Sequence, residues 1–198
     1  MLHLVNVHSE YMKRFLNIDI YHLFAGPWNT VFSMKEEHKL ARGHLLATIP
    51  QMEKEWRVSF EFMANSFSGL RQVLHMTIGG KGIGKGAKYG DRTPAIWIHA
   101  TKGILVASGV RGKVGYSKYF KPLPPISKWV KFEIKQEVEA SEMTYSITIG
   151  GEKVLSEPNS KPSKFENVQV LSSSSWYNPV NGFIKNLVIE NKNSGKSS

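Results

Sequence analysis

The sequence predicts an all-β fold in which two antiparallel sheets pack face to face as a sandwich. Apolar residues recur with a period of two in at least five segments. Each run is short and bounded by Gly, Pro, Ser or Asn. About a dozen such runs fill the chain from residue 28 onward, with no helical period between them. Alternation of this kind is the signature of half-buried strands, and many short strands without interior helices build two-layer β architectures.

In chain order, the first 27 residues form an extension, in which Ser9 is placed to cap a short helix with Met12, Phe15, Leu16 and Tyr21 on one side. The sandwich domain is expected over 28–191. Strands are expected at Thr30–Met34 and Leu40–Ile49. In EWRVSFEFMA, Val58, Phe60 and Phe62 alternate with Arg57, Ser59 and Glu61. In RQVLHMTIGG, Leu74, Met76 and Ile78 alternate with Val73, His75 and Thr77. In PAIWIHA, Ile96 and Ile98 alternate with Ala95, Trp97 and His99. A strand follows at Ile104–Ser108, and then KWVKFEIKQE sets Val130, Phe132 and Ile134 against Lys131, Glu133 and Lys135. Tyr145–Ile149 and Glu152–Leu155 flank Gly150-Gly151, a tight hairpin joint. Asn167–Leu171 and NGFIKNLVIEN complete the set, and 192–198 is a polar tail expected to be disordered. Phe60, Phe62, Leu74, Ile96, Phe132, Ile134 and Leu187 are the expected core.

Composition narrows the chemistry. There is no cysteine, which removes disulfides, thiolate metal sites and cysteine catalysis. No apolar run is long enough to span a membrane, and the N-terminus lacks the block and cleavage site of a secretory signal. The formal net charge is +10. Between Gly80 and Lys121 stand Lys81, Lys85, Lys88, Arg92, Lys102, Arg111, Lys113, Lys118 and Lys121 against the single acid Asp91. Such clustering favours an anionic partner: an acidic or sulfated glycan, a glycosaminoglycan, or an acidic protein. A plain solvated surface is the alternative.

The segment GGKGIGKG, Gly79–Gly86, fits the phosphate-loop pattern GxxxxGK[ST] except at its last position. That loop needs a helix after it, because the helix amides and dipole hold the phosphate. Gly86, Gly90 and Pro94 break any helix here, and strand AIWIHA follows. The segment reads instead as a long basic loop between strands. Nucleic acid is disfavoured, since no helix-based motif is present and the aromatics do not cluster with the lysines.

The order EWRVSFEF, QVLHMTIGG, RTPAIWIH, ILVASG, WVKFEIKQE, TYSITIGGEKV, GFIKNLVIEN resembles the concanavalin A-like lectin/glucanase superfamily, above all its laminin G-like and pentraxin-like branches. Trp129, Gly150, Gly151, Gly182, Ile184, Asn186 and Leu187 carry the resemblance, which runs from Asn29 to Asn191. It implies a jelly-roll sandwich, a glycan, glycosaminoglycan or protein ligand, and an extracellular or surface location, although without a visible signal the cytosol is also compatible. The galectin pattern is absent, as Asn178-Pro179 is followed by Val180. The glucanase carboxylate pair is also missing: Glu133 and Glu137 share a face, but Lys135 stands where an acid is needed. Retaining hydrolysis needs carboxyl groups about 5–5.5 Å apart. No catalytic residue and no cofactor are therefore expected, and isolated acids make a calcium site a poor fit. His75 and His99 lack a third ligand for a metal.

A non-catalytic, lectin-like binding module is the resulting expectation, with a protein-interaction domain of a larger surface protein as the alternative. Strand parity turns His75, Trp97 and His99 outward, joined by Arg57 if its strand lies in the same sheet. An outward Trp among polar groups suits a sugar. The competing expectation for Trp97 is packing under a loop or the N-terminal segment. The basic residues Lys81, Lys85, Lys88, Arg92, Arg111 and Lys113 are expected to meet the acidic part of the ligand. Ser172–Ser175 before Trp176-Tyr177 is a second polar-aromatic loop, expected to anchor itself by a buried Trp, with a rim contact to the ligand as the second reading.

Overall fold

The computed structural model describes residues 27–79 and 87–192. The expected N-terminal helix, Lys81, Lys85 and the tail from residue 193 lie outside the described residues.

Among the described residues every regular element is a strand, and no helix is long and apolar enough to cross a membrane. The strands are β1 (Trp28–Met34), β2 (His38–Lys39), β3 (Leu45–Met52), β4 (Trp56–Ser66), β5 (Leu70–Thr77), β6 (Ala95–His99) and β7 (Gly103–Val110). They continue as β8 (Lys113–Phe120), β9 (Val130–Glu139), β10 (Glu142–Ile149), β11 (Glu152–Pro158), β12 (Phe165–Leu171) and β13 (Asn181–Lys192). One sheet runs β1-β13-β4-β9-β10-β11, with β2 also on β13; the other runs β3-β12-β5-β6-β7-β8. All strand pairs are antiparallel. The fold is the two-sheet sandwich of the jelly-roll kind that the alternation predicts.

The core lies between the sheets because alternate residues have nowhere else to bury. On β4, Trp56, Val58, Phe60, Phe62 and Ala64 are buried while the intervening residues are half-buried at the outer face. Phe60 stacks on Phe132 with ring centroids 5.2 Å apart, and Phe62 meets the same ring edge-on at 6.2 Å. The seven expected core residues are all buried. One polar tie crosses the core: the hydroxyls of Ser108 on β7 and Tyr145 on β10 are 2.6 Å apart. The buried pair satisfies itself, as interior polar groups must. Burial pushes the Tyr145 phenol up, so it stays protonated.

Gly150 and Gly151 have φ of 61° and 89°, with Ile149 paired to Glu152, which is the expected two-residue hairpin. A second such hairpin joins β9 to β10 through Ala140 and Ser141, whose φ values are also positive, 48° and 72°. It carries no glycine and so left no signal in the sequence. β8 also gave little signal: KVGYSKYF is an edge strand, half-buried at best along its length, and Lys118 interrupts the alternation of Val114, Tyr116 and Phe120. The strand expected at Leu40–Ile49 begins instead at Leu45, because Ala41–His44 turn away to hold another loop. β13 extends through Lys192, whose ammonium reaches Glu55 at 3.3 Å.

Two of the register shifts decide which residues face the core. On β5 the register slips between Gln72, opposite Trp97, and Leu74, opposite Ile96, so that Val73 is an added residue. Val73 joins the core and Gln72 turns to the outer face beside Trp97. On β13 the register slips between Lys185 and Val188, with Asn186 at φ 50°, so Ile184 and Leu187 are both buried. An extra residue in one strand shifts everything beyond it to the opposite face.

Candidate functional site

The outer face of the six-stranded sheet carries the candidate site. Cross-strand rows give its composition: Gln72, Trp97, Leu105 and Tyr119 lie in line, and Leu171, His75, Ala95, Ala107 and Ser117 form the adjacent row. His75 and Trp97 thus stand on the face that parity assigned. Both are nevertheless buried, at 2% and 3% exposure. The expectation of an open Trp97 surface is corrected here: the loop between β12 and β13 folds across it. The Tyr177 ring meets Trp97 at 5.5 Å in an edge-on contact, and Ala95, Ala107, Leu70 and Leu105 complete a small second apolar cluster. The Trp97 Nε1 donor is buried without a partner.

The serine run builds that loop. Ser172, Ser173 and Ser174 are buried; the Ser172 and Ser173 hydroxyls and the Ser174 amide fasten the loop, while the Ser174 hydroxyl has no partner among the described residues. The Ser172 amide donates to His44 O at 3.0 Å, and the Gly43 amide to Ser173 O at 2.8 Å. The Ser172 hydroxyl bonds the Ala41 carbonyl at 3.1 Å, and Arg42 Nε donates to Ser175 O at 2.7 Å. From the other side, Gln72 Oε1 accepts the Ser174 amide at 2.7 Å. The Gln72 backbone also brackets the loop's end, accepting the Val180 amide and donating to Asn178 O, both at 3.0 Å. The bulge on β5 is what aims Gln72 at this task.

The tied loop presents Trp176, which is 52% exposed. The sequence leaves Trp97 either open or packed and expects Trp176 to anchor its loop, with a rim contact second; the structure packs Trp97 and opens Trp176, because Tyr177 rather than Trp176 turns down onto the sheet. Trp176 walls a cleft of about 210 Å³, lined also by Thr77, Gln169, Leu171, Ser174 and Gly43. An apolar ring and Leu171 face a few hydroxyl and amide groups, the usual make-up of a small-ligand site. The exposed Leu45, cross-strand partner of Leu171, extends the apolar side. His75 lies below, 6.2 Å from the Trp176 ring. Its Nε2 donates to the Asp91 carbonyl at 2.7 Å, and burial pushes its pKa down, against that hydrogen bond. The ring is neutral and has no free lone pair at the surface.

The other expected site residues are dispersed. Arg57 lies on β4 of the opposite sheet, so it cannot share this face. Its Nε bonds Glu190 at 2.6 Å and its guanidinium covers the Trp28 ring at 4.8 Å. His99 ends β6, where Nδ1 accepts the Thr101 and Lys102 amides at 3.3 Å, a turn-capping role. Arg111 pairs with Glu157 at 3.3 Å and bonds Pro158 O at 2.9 Å, at the edge of the sandwich. Lys88 and Lys113 are exposed. Among the described ones of these basic residues, Arg92 reaches the Trp97 cluster, its guanidinium 5.5 Å from that ring.

On the opposite sheet, Lys135 bridges Glu137 and Glu139. Burial pushes the Glu137 carboxyl up, but the Lys135 hydrogen bond and the charges of Lys135 and Lys192 outweigh it, so its pKa is lowered. A general acid needs the opposite shift.

No family model matches the sequence, and no curated protein matches it. Solved structures do match in fold. A sialidase CBM40 from Ruminococcus gnavus, bound to α2,3-sialyllactose, aligns with a TM-score of 0.58 at 13% identity, over 81% of this chain and 92% of that one. Domain 4 of AbnA, a GH43 extracellular arabinanase from Geobacillus stearothermophilus, in complex with arabinotriose, aligns at 0.51 and 15%, over 85% and 84%. A leech intramolecular trans-sialidase aligns at 0.55 and 13%, where 86% of this chain spans 27% of that one. Together the topology and these likenesses define the class: a jelly-roll β-sandwich. They do not single out the concanavalin A-like or laminin G-like branch.

Proposed function

We propose that this domain is a non-catalytic carbohydrate-binding module that holds a sugar ring against Trp176. The exposed indole beside the polar-lined cleft carries this reading. A pyranose presents an apolar face that stacks on an aromatic ring, while its hydroxyls require polar partners at the edge. Trp176 supplies the first, and Thr77, Gln169 and Ser174 supply the second. The ring is presented by a loop that is fastened before ligand arrives, which lowers the ordering cost of binding. The matched CBM40 and arabinanase domain are bound to oligosaccharides, which lends the reading support from fold analogy.

The ligand is an acidic or sulfated glycan. The excess of eight positive charges over residues 80–121 supports this choice, since clustered positive charge concentrates anionic ligands near the surface. Glu137, one carboxylate of the candidate pair, is held ionised by Lys135, which supports the non-catalytic part of the reading.

A glycan array probed with the parent chain and with Trp176→Ala tests the proposal. The parent is expected to bind a set of glycans that the variant loses. Binding to no glycan, or equal binding by both chains, overturns it.

A further inference from the structure

The outer face of the six-stranded sheet has a second half, over β6, β7 and β8, that the Trp176 cleft does not use. Its floor is low, because Ala95, Ala107 and Ser117 follow His75 in one cross-strand row. Arg92 lies in this depression. On one side its guanidinium covers Trp97 at 5.5 Å. On the other it lies so close to Gly115 that a β-carbon there would overlap it. The flat group therefore spans from β6 to β8, held between an aromatic ring and bare backbone.

Burial pushes the Arg92 pKa down, with Tyr177 and Asp91 opposing. Yet among the described residues no carboxylate pairs with it, whereas Arg57 and Arg111 have partners at 2.6 and 3.3 Å. Its chain neighbour Asp91 is buried and turned away, its Oδ2 accepting the Lys88 amide at 2.6 Å. A partly desolvated cation with free donors is costly unless an anion completes it. The guanidinium fork matches a carboxylate with two parallel hydrogen bonds. Beside it, the Trp97 Nε1 donor is buried and unpartnered, and Tyr119, 46% exposed, closes the far edge with Lys102 at 6.0 Å from its ring.

We infer that Arg92 anchors the carboxylate of an acidic sugar unit that neighbours the ring held at Trp176. The inference rests on the carbohydrate reading above and names its ligand class, carboxylated glycans. The Trp176-Tyr177 loop stands between the two subsites, so a ligand of at least two units crosses Tyr177 to fill both.

The test is a chemical-shift titration of the whole isotope-labelled chain, following Arg Nε–H and Trp Nε1–H signals. The probes are glucuronate, N-acetylneuraminate, glucose and glucose 6-sulfate. The Arg92 signal is expected to move with the carboxylated sugars and not with glucose; whichever of the two acts at lower concentration identifies a uronate or a sialate source. If Trp176 responds and Arg92 does not, the anchor is wrong and the stacking site stands. If Arg92 responds to the acids and Trp176 responds to none of the four sugars, the stacking site is wrong. A stronger response of Arg92 to the sulfate also overturns the inference. In parallel, Arg92→Gln is expected to lower affinity for carboxylated oligosaccharides at least tenfold, and Arg92→Lys to a smaller extent. Neutral oligosaccharides should bind both variants as they bind the parent, a pattern that a purely structural role for Arg92 would not produce.

Discussion

At the scale of residues, Trp176 is exposed because other groups of its loop do the fastening. The Ser172 and Ser173 hydroxyls, the Ser174 amide and the Tyr177 ring tie the loop down, and the indole is left facing the cleft. Truncating an aromatic anchor in a binding site costs about 2 kcal/mol or more, roughly thirtyfold in Kd. Phe132 is the corresponding residue of the core, in contact with both Phe60 and Phe62. Phe132→Ala is expected to cost about 3–5 kcal/mol by urea unfolding; a loss below about 1 kcal/mol would mean the ring is not the centre of the packing. Two histidines set a pH limit. Burial pushes His75 down, and burial, then the nearby His44, pushes His38 down. The unfolded chain takes up these protons at about pH 6.5, and the folded chain only at lower pH. Their contribution is thus complete above about pH 6.5 and is lost as pH falls toward the lowered values. Thermal unfolding should show a falling midpoint between pH 6.5 and 5, before the carboxylates titrate; a flat midpoint across that window contradicts the burial of these rings.

At the scale of elements, alternation made the strands legible, and it failed where a strand departs from strict alternation. β4 and β9 alternate without interruption, and their inward residues were evident. β5 and β13 each insert a residue, and parity misplaced Val73 in one and left Ile184 and Leu187 on opposite faces in the other. The same bulge turns Gln72 outward to tie the Trp176 loop, a role that alternation does not signal. The loop's serines gave a visible signal as a polar run, but composition does not tell which of two adjacent aromatic rings turns inward. β8 was missed because Lys118 interrupts its alternation, although Tyr116 and Phe120 pack against the core. Two element-scale outcomes follow. Gln72→Leu should expose the Ser174 amide to hydrogen exchange and weaken glycan binding while the fold persists; unchanged protection would show that the tie is dispensable. Gly150→Val, at φ 61°, should cost about 1–2 kcal/mol, the penalty for a left-handed side chain; no loss by urea unfolding would argue against the positive-φ hairpin.

At the scale of the whole molecule, the sandwich separates two chemistries. The outer face of the β4–β9 sheet is a network of paired charges: Arg57 with Glu190, Lys135 with Glu137 and Glu139, Lys192 with Glu55. Surface pairs of this kind contribute little stability, about 0–1 kcal/mol each, but they leave that face neutral and hydrated. The opposite face carries the aromatic cleft and Arg92, with exposed lysines around it. If the surrounding lysines attract the ligand, its association should weaken with salt, as the Debye length falls from about 10 Å at 0.1 M to 3 Å at 1 M. The stacked ring should be much less sensitive. The most direct test of the account is therefore the affinity of the parent and Trp176→Ala for one array-selected glycan, measured in 1 M salt. Residual binding by the parent and a loss of roughly thirtyfold in the variant is the predicted result. Equal affinities for the two chains would contradict it.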